Sequence, residues 1–222
     1  MEVIEAIRSR RSIRGFKPDP VPREVLEELL ETCRWAPSPR NMQTWELAIL
    51  GGKVMAEVKA RLEEKVKTKV PPNPDLPEAE PPELYLQRAI ETMNATDTHQ
   101  FPPGTKDLEA KRGAYWLKGG RFHDAPNGII IYSDKALDYK AIISVGLMAQ
   151  TIALAAPAYG LGTCIMTRVI NYPEILRELL GIPKSKNIAL GIAIGYPDPE
   201  ALVNSYPRHR IPVETFANWY GF

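Results

Sequence analysis

Apolar positions recur along this chain with two periods, one near 3.6 residues and one of short unbroken runs. Val3, Ile4 and Ile7 share one face of a short first helix. A basic stretch follows it and runs to Phe16, where Pro18 and Pro20 stop any continuation. Pro22 suits the first turn of a second helix, in which Val25, Leu26, Leu29, Leu30 and Cys33 form one apolar stripe, and Pro37 closes the segment. Trp45 to Leu50 predicts a strand, Gly51-Gly52 a turn, and Lys53 to Lys69 a highly charged amphipathic helix. Six prolines among the twelve residues from Pro71 to Pro82 forbid helix and central strand, so the chain must cross a surface there in extended form. Helical spacing returns around Glu83 to Asn94 and Asp107 to Lys118. Gly128 to Tyr132 is a continuous apolar strand, Asp138 to Ala156 a long apolar helix, and Thr163 to Met166 another strand. Tyr172 to Leu180 predicts a helix stopped by Gly181, and Ile188 to Ile194 a second buried strand. From Tyr196 onward the residues are Pro, Asn and aromatics without a period, which predicts an extended tail, 196–222, needing a surface to lie on. Helices alternating with about four strands, without internal repeats, predict a three-layer α/β/α sandwich.

Composition narrows the function. A chain of 222 residues, 44% hydrophobic and 25% charged, suits one domain spanning 1–222. Its 28 Lys and Arg against 27 Asp and Glu leave a charge of +1, so no global field favours nucleic acid or a membrane, and a small molecule is the expected partner. Ala141 to Tyr159 approaches the length of a membrane span, but Ser144, Gln150, Thr151 and Pro157 interrupt it, and a helix buried in protein is the expectation. The first residues lack an apolar signal core and carry acidic side chains, so a cytoplasmic location is expected. Cys33 and Cys164 lack metal or redox spacing and sit among apolar neighbours, as buried free thiols do. His99, His123 and His209 are isolated in sequence, so no metal site is expected.

Four separated pieces carry the chemistry: Arg10-Arg11-Ser12-Ile13-Arg14, Pro37 to Trp45, Gly160-Leu161-Gly162-Thr163-Cys164, and Pro207 to Pro212 with Arg208 and Arg210. Taken singly each has a plain reading. The arginines suit a solvated helix end, the prolines a loop, and the glycines a helix stop before a strand. Together they supply guanidinium forks and a hydroxyl for a phosphate, and amide groups for a heterocycle edge. In that order along the chain they resemble the FMN-dependent nitroreductase family. The resemblance covers the first fifty or so residues, the stretch from about Asp124 to Ile194 and the C-terminal motif; it fails over 70–120, an insert expected to cap the flavin.

The resemblance implies an α+β fold and a domain-swapped homodimer with two FMN sites at its interface and the long helix near Val145 in the dimer core. It implies that Arg10, Ser12, Arg208 and Arg210 hold the phosphate and ribityl chain, while Arg11 and Arg14 reach the pyrimidine edge of the ring. Pro37, Ser38, Asn41 and Gln43 would bind the partner's flavin, although Thr44 stands where the family usually has proline before this tryptophan. Ile165, Met166 and Thr167 would pass the flavin N5 side, and Arg121 would match a cation that some members place by the ring. The implied activity is NAD(P)H-dependent two-electron reduction of nitroaromatic, quinone or similar electron-poor acceptors, with the flavin and no side chain carrying the chemistry. No dinucleotide fingerprint occurs, so NADH or NADPH would bind transiently in the acceptor pocket, giving ping-pong transfer. Reductive dehalogenation, flavin modification and a non-catalytic flavin carrier or sensor are the alternatives.

Overall fold

Ile129, Ile130 and Ile131 are all fully buried although consecutive strand residues point to opposite faces, so the sheet that holds them is covered on both sides. The computed structural model describes residues 2–222. Strands β1 (Glu46–Leu50), β2 (Asn127–Asp134), β3 (Gly162–Met166) and β4 (Lys186–Gly195) form one sheet in the order β1-β2-β4-β3. Every neighbouring pair is antiparallel. Ile129, Ile131, Ile192 and Ile194 pack on one face against helices α2 (Arg23–Cys33) and α6 (Tyr139–Ala155). Ile130, Ile188 and Ala193 pack on the other, against α3 (Gly52–Lys67) and α7 (Pro173–Leu180). The expected three layers are present, and a register shift between Ile131 and Tyr132 lets Ile188 and Ile192, an even number of residues apart, serve opposite faces.

Helices α4 (Glu83–Gln100) and α5 (Leu108–Gly119) occupy the insert. α4 runs past the expected end at Asn94 because Thr96 is buried and Asp97 pairs with Arg112 of α5. The proline-rich passage is a strap: Asn73 N–H donates to Asn171 O at 2.8 Å, and Leu76 packs on the core beneath α6.

The long helix is buried on one face only; Ala141, Ser144, Val145 and Ile152 face inward, whereas Tyr139, Ile142, Ile143 and Leu147 are exposed. Val145 therefore packs on its own sheet, and the outer residues form the unpartnered stripe. Helix α1 (Val3–Ser9) likewise leaves Val3, Ile4 and Ile7 exposed. By length and composition Tyr139–Tyr159 could cross a membrane, but its inner face is part of the core.

Candidate active site

The two ends of the chain meet at β3. Ser12 bridges Thr163 in parallel, with Ile13 N–H donating to Thr163 O at 2.9 Å. Gly162 permits this approach, since a Cβ there would lie 2.6 Å from Ile13 Cγ1. From the other end, Asn204 Oδ1 accepts from Arg14 N–H at 2.9 Å and Gly15 N–H at 3.1 Å, and its Nδ2 donates to Gly15 O at 2.8 Å. Arg208 donates to the carbonyls of Arg10 and Arg8. Five of the expected residues, Arg10, Ser12, Arg14, Arg208 and Arg210, thereby line one recess of about 230 Å³ together with Thr92 and Tyr206.

Arg14 and Thr92 also wall a larger neighbouring cavity of about 620 Å³. Its floor is the end of β3 and the following turn, Cys164 to Arg168, so the expected Ile165, Met166 and Thr167 all line it. Its other walls come from α4 (Met93, Thr96) and α5 (Tyr115, Trp116), and from His123.

Charge in these recesses is lopsided. Among the described residues, no carboxylate pairs with Arg10, Arg14, Arg168, Arg208 or Arg210, whereas Arg112 is neutralised by Asp97. Burial lowers the Arg10 pKa, and the like charges of Arg208 and Arg210 lower it further. Burial also opposes the Arg14 charge, but Cys164 and the hydroxyl of Tyr206, 3.2 Å from Nη1, more than compensate and raise it. Tyr206 in turn is held below its ordinary value despite burial, by that same hydrogen bond and charge.

His123 sits between the arginines, buried, with Nδ1 unpartnered and its ring 5.8 Å from that of Tyr115. Burial, then Arg14 and Arg168, push its pKa down to about 3, so the imidazole is neutral. Phe122, His123 and Asp124 are consecutive left-handed residues (φ 60°, 50° and 61°), a costly backbone for L-residues that fixes the ring's place. Burial raises Tyr115 to about 12, so it remains a protonated donor.

Other expected residues lie elsewhere. Arg121 is no cavity cation: Glu63 of α3 and Asp124 engage its guanidinium. Arg11 lines neither recess, because its Nη2 donates to Tyr206 O at 2.6 Å. The loop bearing Pro37, Ser38, Asn41 and Gln43 also lines neither recess of its own protomer. It is organised for display, with left-handed Arg40, Asn41 and Gln43 and with Ser38 Oγ accepting from Gln43 N–H at 2.9 Å. Thr44 in this loop keeps a buried hydroxyl without a partner. Asn204, Tyr206, Thr92, His123 and Arg168 went unanticipated. Only the placement of Asn204 and Tyr206 just before the Arg208 motif signalled any of them.

The sequence model of the nitroreductase family matches residues 7–196. The chain belongs to the nitroreductase family. This match spans the insert that resembled nothing by motif and ends before Arg208. Among nitroreductases, the chain is 29% identical to the chloronitrobenzene nitroreductase of Comamonas testosteroni, over 97% of this chain and 95% of that one. It is 28% identical to the 4-nitrobenzoate reductase of Pseudomonas putida, over 97% and 94%. The crystal structure of the FMN and NADPH-dependent nitroreductase NfnB from sphigopyxis sp. strain HMH superimposes with a TM-score of 0.92, covering 100% of both chains at 24% identity. That likeness shows that the nitroreductase fold is shared.

Proposed function

We propose that this chain is an FMN-dependent NAD(P)H oxidoreductase that reduces nitroaromatic, quinone or similar electron-poor acceptors by two-electron ping-pong transfer. One observation carries the reading: an uncompensated guanidinium cluster, Arg10, Arg208 and Arg210, opens through Arg14 into a cavity of about 620 Å³. Such a cluster fits a phosphate dianion, because cations that repel one another gain most from a shared anion.

Bound FMN would supply the redox chemistry, accepting hydride from NADH or NADPH and passing two electrons to the acceptor. The protein's own residues bind, orient and polarise. Arg10, Arg208, Arg210 and the Ser12 hydroxyl hold the phosphate end. Arg14, held by its hydrogen bond to Tyr206, places positive charge where the ring's pyrimidine edge would develop negative charge. Ile165, Met166 and Thr167 offer a backbone surface for the ring, and α4 and α5 of the insert exclude water above it. The exposed stripe Tyr139, Ile142, Ile143 and Leu147 supports a homodimer, in which Pro37, Ser38, Asn41 and Gln43 reach the partner's site. The reading is of a cytoplasmic enzyme acting on small molecules.

Anaerobic mixing of the FMN-loaded protein with NADPH or NADH, followed by a nitroarene or quinone, tests it. Bleaching of the flavin absorbance by a nicotinamide and its return on adding acceptor is the expected result. Failure of both nicotinamides to bleach it overturns the enzyme reading in favour of a carrier.

A further inference from the structure

Arg168 is the one cavity-lining cation with neither a carboxylate nor a role in the proposed cofactor site. It follows directly on the floor residues Ile165 to Thr167, in the single helical turn Arg168–Ile170. Its guanidinium lies against the indole of Trp116, 3.7 Å from the ring centroid, and Nη1 donates to Trp116 O at 2.8 Å. Room for this comes from Gly119, where a Cβ would stand 3.0 Å from Nη1. The fork's other nitrogen, Nη2, is buried and has no acceptor.

That arrangement is poor economy for a purely structural contact. Anchoring α5 through one carbonyl needs a single neutral donor. A half-buried charge with one fork nitrogen shut off from water and no counterion costs free energy that an anion in the cavity would return. Burial lowers the Arg168 pKa, the direction expected for a cation without a partner. Among the residues lining the cavity, Arg14, Arg112 and Arg168 stand against the single carboxylate Asp97, and Asp97 is taken by Arg112. Trp116 itself is 57% exposed, so it can turn aside and uncover Nη2 without unpacking the core. An indole beside a guanidinium fork also matches the two parts of an aryl carboxylate, a flat ring and a planar anion.

We propose that Arg168 is the anion-recognition residue of the acceptor pocket, taking the carboxylate of an electron-poor aryl acid while Trp116 serves as its movable cover. This rests on the oxidoreductase reading above. It names the acceptor class as anionic nitroarenes.

The test uses the FMN-loaded enzyme with 4-nitrobenzoate and 4-nitrobenzamide, nitroarenes of nearly equal shape that differ in charge. The expected result is a kcat/KM ratio favouring the benzoate in the wild type. That ratio should fall by about ten- to a hundredfold in Arg168→Gln, through KM, and be partly restored in Arg168→Lys. A merely structural role would lower both substrates together and leave the ratio unmoved, which overturns the proposal. So does a wild type without preference, or a variant whose defect lies in KM for NADPH, which would assign the fork to a nucleotide phosphate. Quenching of tryptophan fluorescence by benzoate, with benzamide as control, gives a readout independent of turnover. If neither nitroarene is reduced but benzoate still binds through Arg168, the oxidoreductase reading fails and the anion site stands. If both are reduced and benzoate binds no better than benzamide, the reverse holds.

Discussion

Asp75 of the proline-rich strap and Arg177 of α7 pair at 2.7 Å with side chains only 11% and 14% exposed. The same Asp75 oxygen accepts from Ile188 N–H at 2.8 Å, so one carboxylate ties strap, helix and central strand together. Asp75→Ala leaves a partly buried guanidinium and an amide without this partner. It should cost about 3–5 kcal/mol, read as a lowered urea midpoint.

His123 makes stability depend on acid. Its pKa falls from 6.5 to about 3 on folding, so the unfolded chain binds the extra proton. The stabilisation of the neutral imidazole is complete above about pH 6.5 and is lost progressively as pH drops towards 3, by about 1.4 kcal/mol per unit. Arg14, Arg168 and Lys118 face the ring and stay charged across this window, while Asp124 acts in the opposite sense. Subtracting the unfolding profile of His123→Asn, whose side chain tolerates the left-handed backbone, should isolate this slope. Parallel profiles for the two proteins would refute it.

Arg10→Ala and Arg210→Ala should each weaken FMN binding by about ten- to a hundredfold, or about 1.4–2.8 kcal/mol, in a fluorescence titration. Arg208→Ala should also loosen the N-terminal segment, because Arg208 donates to the carbonyls of Arg8 and Arg10. Unchanged affinity in both single variants would remove the phosphate assignment.

Arg14→Ala should retain FMN through the phosphate cluster yet slow its reduction by NADPH and lower its two-electron potential, because a positive charge is lost beside the ring. Stopped-flow absorbance and a redox titration against a reference dye measure the two effects separately. A potential that does not move would place Arg14 away from the ring.

The outer stripe of α6 gives the oligomer test. Ile143→Glu puts a charge where Ile142, Ile143 and Leu147 are exposed, and should turn a sedimenting dimer into a monomer at submicromolar concentration. If the loop crosses to the partner, Ser38→Ala with Asn41→Ala should weaken FMN binding without altering the dimer.

The layers were legible in the chain because Ile129 to Ile131 and Ile188 to Ile194 are apolar runs of strand length, which only a doubly covered sheet can bury. The antiparallel order of those strands was not, since crossovers leave no local trace. The α6 pattern does not say what covers it, for a related reason: a helix apolar all round looks the same whether its second face meets its own core or remains exposed. In the site, Arg10, Ser12, Arg14 and the Arg208–Arg210 pair could be singled out by motif. Arg121 could not be judged, because Glu63, 58 positions away on α3, holds its guanidinium. His123 and Arg168 lacked any motif, and their significance comes from burial and missing partners.

Asn204 clasps Arg14 across 190 positions, and Arg208 reaches back to the first helix. The sheet and its helices are complete by Gly195, yet the anion recess does not exist until the next fifteen residues, through Arg210, have been added. A chain released before Arg210 would keep its sheet and lack the proposed cofactor clasp. On the proposed assignment, retention of flavin would report that synthesis has passed Arg210, which makes colour a test of integrity as well as of identity.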